Sequence, residues 1–109
     1  MGYQLMWSPV DIAAIRVEMA ALRAAGHDVE LAQVLAYVNS IATAGPAAHS
    51  RHIHMRVGNR NLHSACPFQT VGVFYAYESP PTTQLYILAF CTNLLAYVGN
   101  AAARLTNVP

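Results

Sequence analysis

The sequence predicts an α+β domain with the element order β-α-α-β-β-β-α, a helical hairpin packed on one face of a mostly antiparallel sheet. Three observations carry this. Two segments with apolar residues at spacings of three and four follow one another early in the chain, parted only by Gly26-His27. From Ser50 onward the apolar period changes to two. The later apolar runs are separated by Gly-, Asn- and Pro-rich turns, which link strands as hairpins. The 109 residues have room for one hydrophobic core, so a single domain over 1–109 is expected.

Tyr3 to Trp7 reads as a short strand, with Tyr3, Leu5 and Trp7 on one face. Ser8 is placed to cap the first helix, Pro9 fits its first position, and Asp11 favours the positive end of its dipole. Ile12, Ile15, Met19 and Leu22 form the buried stripe, with Arg16, Glu18 and Arg23 elsewhere on the helix. Gly26 ends it as a left-handed cap. Asp28 caps the second helix, which buries Leu31, Val34, Leu35, Val38 and Ile41 and stops at Gly45-Pro46. So short a link makes the two helices antiparallel neighbours.

In Ser50 to Val57, Ile53, Met55 and Val57 alternate with His52, His54 and Arg56, which turns the two histidines and the arginine toward the same side of a strand. Gly58-Asn59-Arg60-Asn61 reads as a turn. Leu62 to Phe68 reads either way, Pro67 arguing against a central strand. Thr70 to Glu78 is a strand with Val71, Val73, Tyr75 and Tyr77 on one side, and Pro80-Pro81-Thr82-Thr83 turns the chain. Gln84 to Cys91 is apolar on both faces and so central. Asn93 caps a last helix through Arg104, and the tail to Pro109 frays. With the hairpin on one side, the other face of the sheet is left open.

Composition narrows the function. Only 10% of residues are charged, against about 25% in an ordinary domain, which leaves a weakly charged surface suited to a homodimer or a dedicated partner. All six basic residues are Arg, and the net charge of +1 supplies no field for tight non-specific binding to nucleic acid. Cys66 and Cys91 form no CxxC pair and read as free thiols. Ser79 to Ala103 carries no charge, yet Thr92, Asn93, Gly99 and Asn100 interrupt it, which favours a buried strand and helix over a membrane span. Met1 to Trp7 is too short for a signal peptide before Ser8-Pro9, so a cytoplasmic location is expected.

Several short segments carry a resemblance. Tyr3-Gln4-Leu5-Met6-Trp7-Ser8-Pro9 followed by a helical hairpin, then His54-Met55-Arg56-Val57, then Phe74-Tyr75-Ala76-Tyr77 and Leu85-Tyr86-Ile87-Leu88-Ala89-Phe90, is similar to the RelE/ParE toxin superfamily of bacterial toxin–antitoxin systems, especially its HigB-like branch. The resemblance implies a cognate antitoxin as partner. It also implies either mRNA cleavage on the ribosome or, in the ParE branch, inhibition of DNA gyrase. Arg56 matches the Arg of the family's first long strand. The sequence departs from the family where Thr70-Val71-Gly72 and Thr92-Asn93-Leu94-Leu95 replace basic residues, and where Lys is missing altogether.

RNA cleavage at such a site needs a base near the 2′-hydroxyl, a cation near the phosphate and an acid for the leaving oxygen. The expected catalytic set is His52, His54, Arg56, Tyr75 and Tyr77, with Arg51, Arg60 and His63 binding RNA. Imidazole titrates near neutral pH, guanidinium pairs with phosphate, and tyrosine stacks on bases or donates a proton. No cofactor is implied. A metal would have to use His52-x-His54 with His63, Cys66, Glu78 or His49, and no second spaced pair supports it, so none is expected. The alternative is a non-catalytic protein-binding module, in which the polar strand face is merely solvated.

Overall fold

The computed structural model describes residues 2–45, 53–58, 60–77 and 83–108. Its elements are β1 (Gln4–Trp7), α1 (Ile12–Ala24), α2 (Asp28–Ala44), β2 (Ile53–Val57), β3 (Arg60–Ala65), β4 (Gly72–Tyr77), β5 (Gln84–Cys91) and α3 (Leu94–Leu105). The sheet runs β1-β5-β4-β3-β2, antiparallel except that β1 lies parallel to β5. This is the predicted α+β architecture, and β5 is central as its two apolar faces require. The order gains one strand. Arg60 and Asn61 belong to β3 rather than to a turn, and β3 ends at Ala65, so Pro67 is left outside the ladder.

Local chemistry sets the element ends. Gly26 takes φ +86° just past α1, which only glycine adopts freely. Asn93 caps α3, its side-chain oxygen accepting from the Ala96 N–H at 3.2 Å. At α1 the expectation shifts by three residues: Asp11 is the N-cap, and Ser8 sits buried before it with its hydroxyl donating to the Asp11 carboxylate.

Ile15 and Leu22 of α1, with Leu31, Val34, Val38 and Ile41 of α2, pack on Val73, Tyr75, Leu85, Ile87 and Phe90 of the sheet. The opposite face is not open. Ala101, Leu105 and Val108 cover Leu62, Phe74, Ala76, Tyr86 and Leu88 there, so the sheet is sandwiched between the hairpin and α3. Nor does the described part of the tail fray. Val108 is buried, and Arg60 donates to the carbonyls of Leu105 at 3.4 Å and Val108 at 2.6 Å. At the start of α3, Leu94 lies over Gly72, where a Cβ would meet its Cδ2 at 2.7 Å. No helix among the described residues is long and apolar enough to cross a membrane.

Candidate functional site

Among the described residues, the predicted strand face does not bring His54 and Arg56 together. Ile53 pairs with His63 and Met55 with Leu62, so β2 carries an extra residue at His54. Such a bulge re-aims the side chains on either side of it. His54 therefore turns toward the α3 face, where its Nδ1 lies 3.0 Å from Ser64 Oγ and its ring stands edge-on to Phe74. Arg56 pairs opposite Asn61 and so faces the other side, exposed, with its Nε donating to the Gly58 carbonyl at 3.4 Å. The strict alternation expected of His54 and Arg56 is broken by one inserted residue.

The remaining candidates scatter as well. Tyr75 is buried and Tyr77 half-buried beneath the helical hairpin, stacked on the buried His63 ring at 5.4 Å and 4.9 Å. Tyr3 closes that stack, edge-on to Tyr77. His63 thus joins the tyrosines in a packed aromatic layer, away from His54. Arg60 holds the C-terminal segment. Arg51 and His52, and with them His49 and Glu78, lie outside the described residues. Among the described residues no three His, Cys, Asp or Glu side chains gather as a metal ion would need. Cys66 is an exposed free thiol.

A different constellation forms where β1 ends. The β1–β5 ladder runs from Gln4 opposite Gln84 to Trp7 opposite Ile87 and then stops, while β5 continues to Cys91. In a parallel ladder, a residue donates to the carbonyl of one neighbour-strand residue and accepts from the N–H two residues further on. Past Trp7, β5 carries an extra residue at Leu88, and the chain after β1 offers Pro9, which has no N–H to give. Two side chains take its place. Arg104 Nη1 donates to the Leu88 carbonyl at 2.9 Å, and Glu18 Oε1 accepts from the Phe90 N–H at 3.2 Å. Together they supply the donor and acceptor that one strand residue would have supplied.

The pair is held closely. Arg104 reaches Glu18 through both terminal nitrogens, at 2.9 Å to Oε1 and 2.5 Å to Oε2, and the Tyr97 hydroxyl donates to Oε2. The guanidinium also lies over the Tyr97 ring, 5.7 Å from its centre. Each carboxylate oxygen therefore meets two donors, and the charge is neutralised on the spot. The hydrogen bond to Glu18 holds the Arg104 guanidinium above its ordinary pKa, and burial followed by donation to Glu18 raises the Tyr97 phenol. Sequence reasoning placed Glu18 off the buried stripe of α1. The available signal was its spacing, three residues after Ile15 and four before Leu22.

Beyond this pair lies a groove of about 480 Å³, bounded by Val17 and Ala21 of α1 and Ala25 just after it, by Ala96 and Tyr97 of α3, and by β5 from Phe90 onward. Its β5 wall lies past the last β1–β5 pair, Trp7 opposite Ile87. Val17 at its rim is 68% exposed, and Leu95 on the first turn of α3 is 79% exposed. Cys91 lines it with a thiol that burial pushes up to about 11 from 9.0, so the thiol stays protonated and unreactive at neutral pH.

That thiol gives a pH prediction. An acid kept protonated by the fold binds more protons folded than unfolded, so stability falls as pH rises through the interval between the two values. The Cys91 contribution is whole below 9.0 and lost by about 11. Urea midpoints are expected to fall over this interval, and to fall less in Cys91→Ala, where the raised Tyr97 phenol still contributes. An equal fall in both proteins refutes the assignment to Cys91.

No family model matches this chain, and neither does a curated protein or a solved structure.

Proposed function

We propose that this chain is a non-catalytic protein-binding module on a toxin-like fold, taking a segment of a partner protein in the groove between α1 and α3. The observation that carries this reading is the bulge at His54. It sets His54 and Arg56 on opposite faces of the sheet, while the tyrosines pack under the hairpin with His63. A base, a cation and an acid converging on one phosphate would need these groups on one surface. The groove supports the binding half of the reading: it is apolar, concave and rimmed by exposed Val17. The partner that the sequence resemblance implies is a cognate antitoxin, or gyrase if the ParE branch is the nearer one.

Induction of the chain in a bacterial host separates these readings. The module reading expects intact mRNA and unchanged growth, with His54→Ala plus Arg56→Ala making no difference. Ribosome-associated mRNA cleavage that the double variant relieves restores the nuclease reading and overturns this one. Growth arrest with DNA-damage signalling and intact mRNA keeps the binding role and identifies gyrase as the partner.

A further inference from the structure

We infer that the segment bound in this groove is an extended, uncharged peptide lying parallel to β5, as a continuation of the lane that β1 vacates. The inference rests on the binding role proposed above and specifies its ligand. The argument is one of ladder continuity. The Leu88 carbonyl and the Phe90 N–H point toward the β1 side, as their bonds to Arg104 and Glu18 show. The two polar groups of one strand residue face the same neighbour, so the Phe90 carbonyl follows its N–H toward the groove just beyond the pair. The register of β1 on β5 is parallel, so a segment following the same lane takes the same direction.

The walls fit a backbone rather than a helix or a bulky core. Ala21 and Ala25 on one side and Ala96 on the other present single methyl groups, which leaves width for an extended chain between α1 and α3. A helix about 10 Å across needs a broader trough. The ligand's side chains alternate, one set toward Val17 and Ala21, the other toward Ala96 and Tyr97. Charge selects as well. The Glu18 carboxylate at the groove floor already meets four donors, two of them from its neutralising guanidinium, so neither a basic nor an acidic side chain finds a counter-ion there. Strand addition of this kind draws affinity from main-chain hydrogen bonds and specificity from alternate side chains.

The test uses the full chain, labelled for amide resonances, and the peptide acetyl-Val-Thr-Val-Thr-Val-amide as probe. The expected result is shifts concentrated on Phe90 to Asn93, with interstrand contacts in parallel order. Ala21→Phe, a change at an exposed helix position that fills the lane, should weaken binding at least tenfold. Antiparallel contacts, a helical bound peptide, shifts confined to the β2 edge, or binding indifferent to Ala21→Phe each overturn the strand inference. So does a dimer that Ala21→Phe dissociates, since a second copy then occupies the lane. The uncharged apolar dye Nile red, added to the same samples, covers the remaining occupant. A groove that takes the dye and not the peptide is a small-molecule site, which overturns the inference. Failure of the underlying binding role reads out separately, as mRNA cleavage on induction.

Discussion

Glu18→Ala is expected to lower the unfolding free energy by about 3–5 kcal/mol, the usual cost of stranding one partner of a buried ion pair. The change leaves the Arg104 guanidinium without its counter-ion between α3 and β5, and takes the acceptor from the Phe90 N–H and the Tyr97 hydroxyl. Both partners are about a tenth exposed, at 10% for Glu18 and 11% for Arg104, so water does little to compensate. A domain of this size has roughly 5–15 kcal/mol in all, and the variant should unfold at far lower urea. Glu18→Leu combined with Arg104→Met removes both charges, and should recover much of the loss because apolar replacements of buried pairs are often neutral. Urea titration of the three proteins decides it. A Glu18→Ala loss below about 1 kcal/mol, the range of surface pairs, would show that the pair does not seal the β5 edge.

Phe74→Ala is expected to cost about 3–5 kcal/mol as well, by a different route, since it opens a cavity under α3. Phe74 is fully buried on the face that Ala101, Leu105 and Val108 cover, and its ring supports His54 edge-on. The variant should loosen α3 from the sheet and release His54 together. Val17→Ser, at the exposed rim of the groove, should stay within about 0.5 kcal/mol and serves as the control. Hydrogen exchange is the sharper readout: protection should drop along α3 in Phe74→Ala while the hairpin stays protected. Uniform loss across both helices would mean that the two faces of the sheet do not open separately.

The fold was legible because its signals are local. Gly26 is needed where α1 must turn through a positive φ, Asn93 offers its side chain where α3 begins, and β5 is apolar on both faces because it is covered on both. What escaped was set by distant partners. Two-residue periodicity assigns His54 and Arg56 to one face, but the residue inserted at His54 shows only in the pairing with Leu62 and His63. Arg60, read as a turn cation, finds the carbonyls of Leu105 and Val108 far along the chain. Glu18 and Arg104 are 86 residues apart, and nothing short-range announces that they meet. The shared face of His54 and Arg56 therefore fails where the fold does not: a side chain's face depends on strand register, and register is not written in composition or spacing.

The parallel pairing of β1 with β5 also has a temporal side. Gln4 is made long before its strand partner Gln84, with five further elements synthesised between the two strands. The α1–α2 hairpin and the β2–β3–β4–β5 meander close through short loops and can form as the chain emerges. The first strand must wait for its place in the sheet, and with it the Glu18–Arg104 contact, because β1 has no strand partner until β5 is made and Glu18 no guanidinium until Arg104 follows. During that interval Leu5, Met6 and Trp7 are held by nothing on the sheet. The nascent protein is then most open to capture by another strand.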